Sequence, residues 1–218
     1  MLLRARTGLI TCALALLFIA VGPAAGQQER PIRADIDYRV IDPQPLSVTQ
    51  GIEVIDFFWY GCPHCYNLQP ALERWISRKP ADVTVRHIPA VLRDSWAPHA
   101  RIYYTLEALG EVERLHQRVY HDYHVEKLAM SKPEVMSEWA VRNGIARERW
   151  DEVYDSPAVA QKIKTAGQLS RTYKVTGTPT LVVQGRYLTS GSMVESLDGM
   201  ITILGGLVQR VRSLATAP

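Results

Sequence analysis

The stretch Val54-Ile55-Asp56-Phe57-Phe58-Trp59-Tyr60-Gly61-Cys62-Pro63-His64-Cys65-Tyr66 constrains this chain more than any other. An apolar, aromatic-rich run of strand type ends at a glycine. A Cys-x-x-Cys pair follows at once, with a helical pattern behind it. A strand therefore delivers two thiols to the start of a helix. Backbone N–H groups there have no partner inside the helix, and together with the helix dipole they favour a thiolate. The first demand on the fold is to hold redox-capable sulfur.

The N-terminus decides which other cysteines matter. Arg4 and Arg6 form a basic region, Gly8 to Gly22 an apolar run of 15 residues, and Ala24-Ala25-Gly26 a small-residue cleavage signal. Fifteen residues fall short of the about 20 that a spanning helix needs. Residues 1–26 read as a secretory signal, with the mature chain starting near Gln27. Cys12 leaves with it, so Cys62 and Cys65 are the only thiols of the exported chain. A bridge between residues three apart closes a tiny loop and adds little chain-entropy stabilisation, so reactivity explains the pair better than stapling. Taking Arg4 and Arg6 off the formal +3 leaves +1. With no basic block, nothing here offers nucleic acid an electrostatic footprint.

Along the chain, residues 37–41 suggest a short strand, and Pro43 and Pro45 a connection. Residues 53–60 form a near-continuous apolar strand, as in a layer buried on both faces. Asp56 interrupts it, either facing solvent at an edge or buried close to the thiols. Leu68, Ala71, Leu72, Trp75 and Ile76 mark a helix over 65–79, and residues 83–88 alternate as a strand. From Ala97 to Tyr173 the pattern is helical throughout. Ser131-x-x-Glu134 reads as a capping box, Asn143-Gly144 as a stop, and Ser156-Pro157 as a start. Strand signals return at 180–183 and 187–188 around a Gln184-Gly185-Arg186 turn. Ser192-x-x-Glu195 is expected to cap a last helix that bends or ends at Gly205-Gly206. The reading is an α/β domain, in two parts (27–92 and 175–218), interrupted by an all-helical block (93–174).

At the thiols, Cys62 is expected to be the partly exposed sulfur at the helix start and Cys65 the more buried, resolving one. His64 adds a donor or a positive charge beside Cys62. A depressed Cys62 pKa stabilises the reduced form and makes the disulfide more oxidising. A zinc site needs about four ligands, and no second Cys-x-x-Cys or suitable His pair is present. His121 and His124 read as solvated, and His87 and His99 show no partner in the sequence.

Phe57 to Tyr66 and Val175-Thr176-Gly177-Thr178-Pro179-Thr180 together resemble the active-site segment and cis-proline loop of the DsbA family of periplasmic thiol:disulfide interchange proteins. The resemblance spans the mature chain and implies a thioredoxin-like fold with a helical insertion. It implies Cys62 as nucleophile, Cys65 as its buried partner, and Pro63 and His64 as setters of the redox poise. Pro179 would lie against the disulfide, leaving the Thr178 backbone to pair with substrate peptide. Family members carry an acid six residues before the first cysteine, usually Glu. Here it is Asp56, which favours a buried position and a role as proton acceptor for Cys65. They often carry a second acid where this chain has Gln69, with Glu73 the nearest substitute. The implied activity is donation of the Cys62–Cys65 disulfide to newly exported proteins, by a monomer in the periplasm. A DsbB-like membrane partner would reoxidise it, and no cofactor beyond the cysteines would be needed. An isomerase or reductase on the same fold, or a peptide-binding chaperone, are the competing readings.

Overall fold

In the computed structural model, which describes residues 31–216, a two-residue strand β1 (Arg39–Val40) precedes β2 (Ile52–Phe58), all seven of whose residues are buried. The signal-peptide reading of 1–26 lies outside the described residues. Helix α1 (Pro63–Arg78) leads to β3 (Val83–Pro89), which runs parallel to β2 with Asp56 opposite His87. A helical block follows: α2 (Ala97–Leu109), α3 (Val112–His124), α4 (Pro133–Arg142), α5 (Arg147–Tyr154) and α6 (Pro157–Thr172). Strands β4 (Thr180–Val183) and β5 (Tyr187–Ser190) and helix α7 (Leu197–Thr216) complete the chain. The five strands are ordered β1-β5-β4-β2-β3, with β4 antiparallel to both β2 and β5.

Strand alternation sorts the core. Val54 packs with Leu68 and Leu72 of α1 and Met200, Leu204 and Leu207 of α7 on one face. Ile55 and Phe57 turn to the other face, where one continuous core takes in Ile102, Leu106, Val119 and Trp139 of the helical block. The sheet and the helical block therefore share a core.

Several element ends differ from the sequence reading. The strand expected over 37–41 shrinks to two residues because Asp37 accepts the Arg33 N–H (2.8 Å), in a turn with Asp35 at φ 63. The central strand stops at Phe58, since Cys62 N–H closes a turn onto the Trp59 carbonyl (2.9 Å). No capping box forms at Ser131: the N-cap is Lys132, with no side-chain hydrogen bond. The cap at the start of α7 is Ser196, which accepts from Gly199 N–H (3.0 Å), rather than Ser192. Gly205 and Gly206 neither end nor interrupt α7, which runs on to Thr216. Gly206 instead lets Ile32 approach, for a Cβ there would lie 3.1 Å from the Ile32 side chain. Ser156 does cap α6, accepting from Val159 N–H. The Gln184-Gly185 turn takes the positive φ pair, 53 and 61, that a tight hairpin of this hand requires. Among the described residues no helix is long and apolar enough to cross a membrane.

Candidate active site

Cys62 is the N-cap of α1, with extended backbone (φ −88, ψ 116), and its Sγ accepts from the Cys65 N–H at 3.4 Å. Pro63 follows at the first helical position, where a missing N–H removes nothing the helix would use. Gly61 is required by its neighbour: a Cβ there would sit 2.2 Å from the Trp59 ring, which folds back to stack on Trp96 (4.2 Å, 1° between planes).

Both cysteines are free thiols. Cys65 is 1 % exposed, but Cys62 is only 6 % exposed, so the partly exposed nucleophile expected from sequence is nearly covered. The Thr176–Pro179 loop accounts for the cover: the Cys62 thiol donates to the Thr178 carbonyl at 3.2 Å, and the Thr178–Pro179 peptide is cis. His64, Thr176, Thr178, Pro179 and Gly191 line a groove beside the sulfur.

The two thiols are driven apart in acidity. Cys62 is lowered to about 5, chiefly by its hydrogen bond with the Cys65 thiol. Burial opposes this, while the Thr178 side chain and the N–H groups of Cys65 and His64 add to it. The Cys65 thiol is pushed up, first by burial, then by its bond to Cys62 and by the charges of Cys62 and Asp56. His64 thus acts on Cys62 through its main-chain N–H; its ring is exposed.

Of the two positions open to Asp56, the structure takes the buried one. Asp56 is 1 % exposed and its Oδ2 lies 3.0 Å from His87 Nδ1. His87, read from sequence as without a partner, is the residue that reading missed. Strand alternation sets Asp56 on the face of Val54 and His87 on that of Val83 and Val85, residues that pack with Leu68 and Leu72 of α1, and the parallel register puts the two opposite each other. Next to this pair His116 is buried, its Nδ1 2.8 Å from the Tyr60 hydroxyl. Gln69, at the position of the family's second acid, is buried and accepts from Gln117 Nε2 (3.2 Å).

The remaining histidines are more engaged than expected. His124 Nε2 is 2.8 Å from the Tyr60 carbonyl and its ring stacks on Tyr66. His121 pairs with Asp122 (3.1 Å). His99 is buried against Trp59, and burial lowers it to about 4. Among the described residues no three His, Cys, Asp or Glu side chains are grouped to hold a metal ion.

A dithiol at a helix start, facing a cis-proline loop on a mixed sheet with a helical insertion, defines a thioredoxin-like thiol:disulfide oxidoreductase. A family model described as "DSBA-like thioredoxin domain" matches residues 89–202. The chain is 31% identical over 204 residues to a thiol:disulfide interchange protein DsbA of Burkholderia cepacia, covering 91% of this chain and 96% of the relative. It is 37% identical over 198 residues to its namesake in Bordetella pertussis, covering 90% of each. The crystal structure of Pseudomonas aeruginosa DsbA superposes with a TM-score of 0.81 at 31% identity, over 85% of this chain and 97% of that one. The chain belongs to the DsbA family.

Proposed function

We propose that this protein is a periplasmic dithiol oxidase that acts as a monomer and donates its Cys62–Cys65 disulfide to newly exported proteins. A substrate thiolate attacks Cys62 Sγ, and the Cys62–Cys65 bond breaks. Cys65 leaves with the electron pair and takes up a proton. A second substrate thiolate then attacks the substrate sulfur of the mixed disulfide, closing the substrate's own disulfide and releasing Cys62 as thiolate. Two electrons have passed to the cysteine pair, which is the only redox group the cycle uses. A DsbB-like membrane protein reoxidises it and hands the electrons to quinone.

The observation that carries this direction is the place of Cys62 at the N-cap of α1, its Sγ accepting the Cys65 N–H at 3.4 Å, surroundings that lower its pKa to about 5. A stable thiolate is a good leaving group, and it stabilises the reduced form, so the pair accepts electrons readily. The groove supplies the substrate contact. Once Cys62 is bonded to Cys65 it no longer donates to the Thr178 carbonyl, which can then accept from an extended peptide backbone. Pro179 walls that groove beside His64, and Asp56 serves as proton acceptor for Cys65.

Equilibration with glutathione is expected to place the couple well above thioredoxin's about −270 mV; a value near thioredoxin's would sink the oxidase reading. A Cys65→Ala variant, unable to resolve, should accumulate substrate proteins disulfide-linked through Cys62. Failure to trap any would favour a chaperone.

A further inference from the structure

We propose that His124, the last residue of α3, is a positioning residue for the nucleophile: it clasps the active-site segment on both sides of the two cysteines, and through that clasp the helical block sets how firmly Cys62 holds its charge. The inference deepens the reading above. It relies on that reading only in that Cys62 is the sulfur that exchanges with substrate.

The segment has little to hold itself with. Cys62 owes its thiolate in part to donors that point at Sγ from the start of α1, among them the Cys65 N–H at 3.4 Å. Hydrogen bonds weaken steeply once donor and acceptor fall out of line, so the backbone at Cys62 has to be kept in place. Immediately before it stands Gly61, which has no side chain to anchor with and an intrinsically permissive backbone. The Cys62 N–H closes a turn onto the Trp59 carbonyl (2.9 Å). The Tyr60 carbonyl, inside that turn, takes its partner from outside the segment.

That partner is His124, whose Nε2 lies 2.8 Å from the Tyr60 oxygen. A carbonyl oxygen only accepts, so Nε2 carries the hydrogen and donates it. The same ring stacks on Tyr66, the residue after Cys65, with centroids 4.9 Å apart and 11° between planes. One half-buried imidazole thus grips the chain two residues before Cys62 and directly after Cys65. Other contacts from the helical block hold rings: Trp96 and His99 stack on Trp59, and His116 meets the Tyr60 hydroxyl. His124 holds the main chain. It is itself fixed at the end of α3, where the Val125 N–H bonds back to the His121 carbonyl (2.8 Å) and Lys127 Nζ donates to the His124 carbonyl.

The ring does this work uncharged. Burial lowers it, the Tyr60 carbonyl and the charge of Cys62 raise it, Lys127 lowers it again, and the balance lies below its usual value. The other groups that face it are the phenols of Tyr66, Tyr120 and Tyr123 and, beyond Tyr123, His99, which burial and His124 lower to about 4. His124 therefore acts on Cys62 by where it holds the backbone. The influence is reciprocal, as any coupling between two sites is: a Cys62 thiolate raises His124.

Two substitutions in the full chain separate the donor from the ring. His124→Phe keeps a ring against Tyr66 and loses the donor. His124→Gln keeps an Nε2 donor and loses the ring. The readouts are the pH midpoint of Cys62 alkylation, near 5 in the wild type, and the equilibrium constant with glutathione. His124→Phe should raise the midpoint by about one pH unit and make the couple about tenfold less oxidising, the scale of one hydrogen bond that serves a charged group. His124→Gln should recover most of both. A folded His124→Phe protein whose equilibrium constant stays within about twofold of wild type would overturn the proposal, since one pH unit corresponds to about tenfold. So would a His124→Gln protein shifted as far as His124→Phe. Should the variants fail to fold, NMR of the wild-type His124 ring decides. Nε2 should carry the hydrogen in both redox states, and the ring should titrate at higher pH in the dithiol than in the disulfide. A ring protonated at Nδ1 instead, or a single midpoint for both states, overturns the clasp. A wild-type potential near thioredoxin's would remove the oxidase direction and leave the difference between variants and wild type to be read as before.

Discussion

At the residue scale the site works by making two neighbouring thiols unlike. Cys62 has its charged form stabilised first by the Cys65 thiol and then by N–H groups of the first helical turn, while Cys65, one turn further in, has burial and two negative neighbours against it. This asymmetry has a stability consequence whose sign is fixed. Cys62 is lowered from 9.0 to about 5, so its contribution to the dithiol protein is fully present above pH 9 and lost as pH falls through 5. At pH 7 that amounts to about 2 to 3 kcal/mol relative to Cys62→Ser. Denaturant unfolding at pH 5 and pH 7 should show the gap open with rising pH. His64→Pro removes one N–H donor, and alkylation kinetics should find the Cys62 midpoint raised and the couple less oxidising. An unchanged midpoint would refute this account of the poise.

At the scale of single elements, the helices show which local signals survive packing. Ser156-Pro157 begins α6, with the serine hydroxyl accepting from Val159 N–H and Pro157 in the first turn. Ser131-x-x-Glu134 carries the same local signal and forms no cap, since the helix starts two residues later at Pro133. The paired glycines of α7 separate local propensity from contact in a measurable way. A Cβ on Gly205 would meet nothing within 4 Å, whereas one on Gly206 would press on Ile32. Gly205→Ala should therefore stabilise by about 0.5–1 kcal/mol, as expected for a glycine in a helix interior, with Gly206→Ala gaining less. Urea midpoints of the two variants decide it.

Over the whole molecule, Phe58 joins the sheet to the helical block. It is fully buried, at the end of β2, with rings of Tyr60, Tyr103 and His116 about it at 5.1, 5.2 and 5.0 Å. Phe58→Ala should cost about 3–5 kcal/mol, and because the core is shared, far-UV and near-UV signals should still be lost in one transition. Separate transitions would mean that the helical block folds on its own. The order of elements, the thiols at a helix start and the helical interruption were all legible in the chain, because each rests on local periodicity or on residues a few positions apart. The family resemblance added the facing loop, which periodicity does not show. What could not be read were the contacts made across the fold: the cover that Thr178 places over Cys62, the Ile32 approach to Gly206, and the pairing of Asp56 with His87.

The opening strand-thiol-helix stretch, by itself, determined that two sulfurs would sit at a helix N-terminus with a low-pKa partner first. That followed from spacing alone, because the unpaired N–H groups of a first turn are local to it. Only the tertiary structure decided where the charge and the proton of that pair are answered. Asp56 and His87 are 31 residues apart and meet only through the parallel register of β2 and β3. Register is set by packing of whole strands, and no short stretch of sequence carries it.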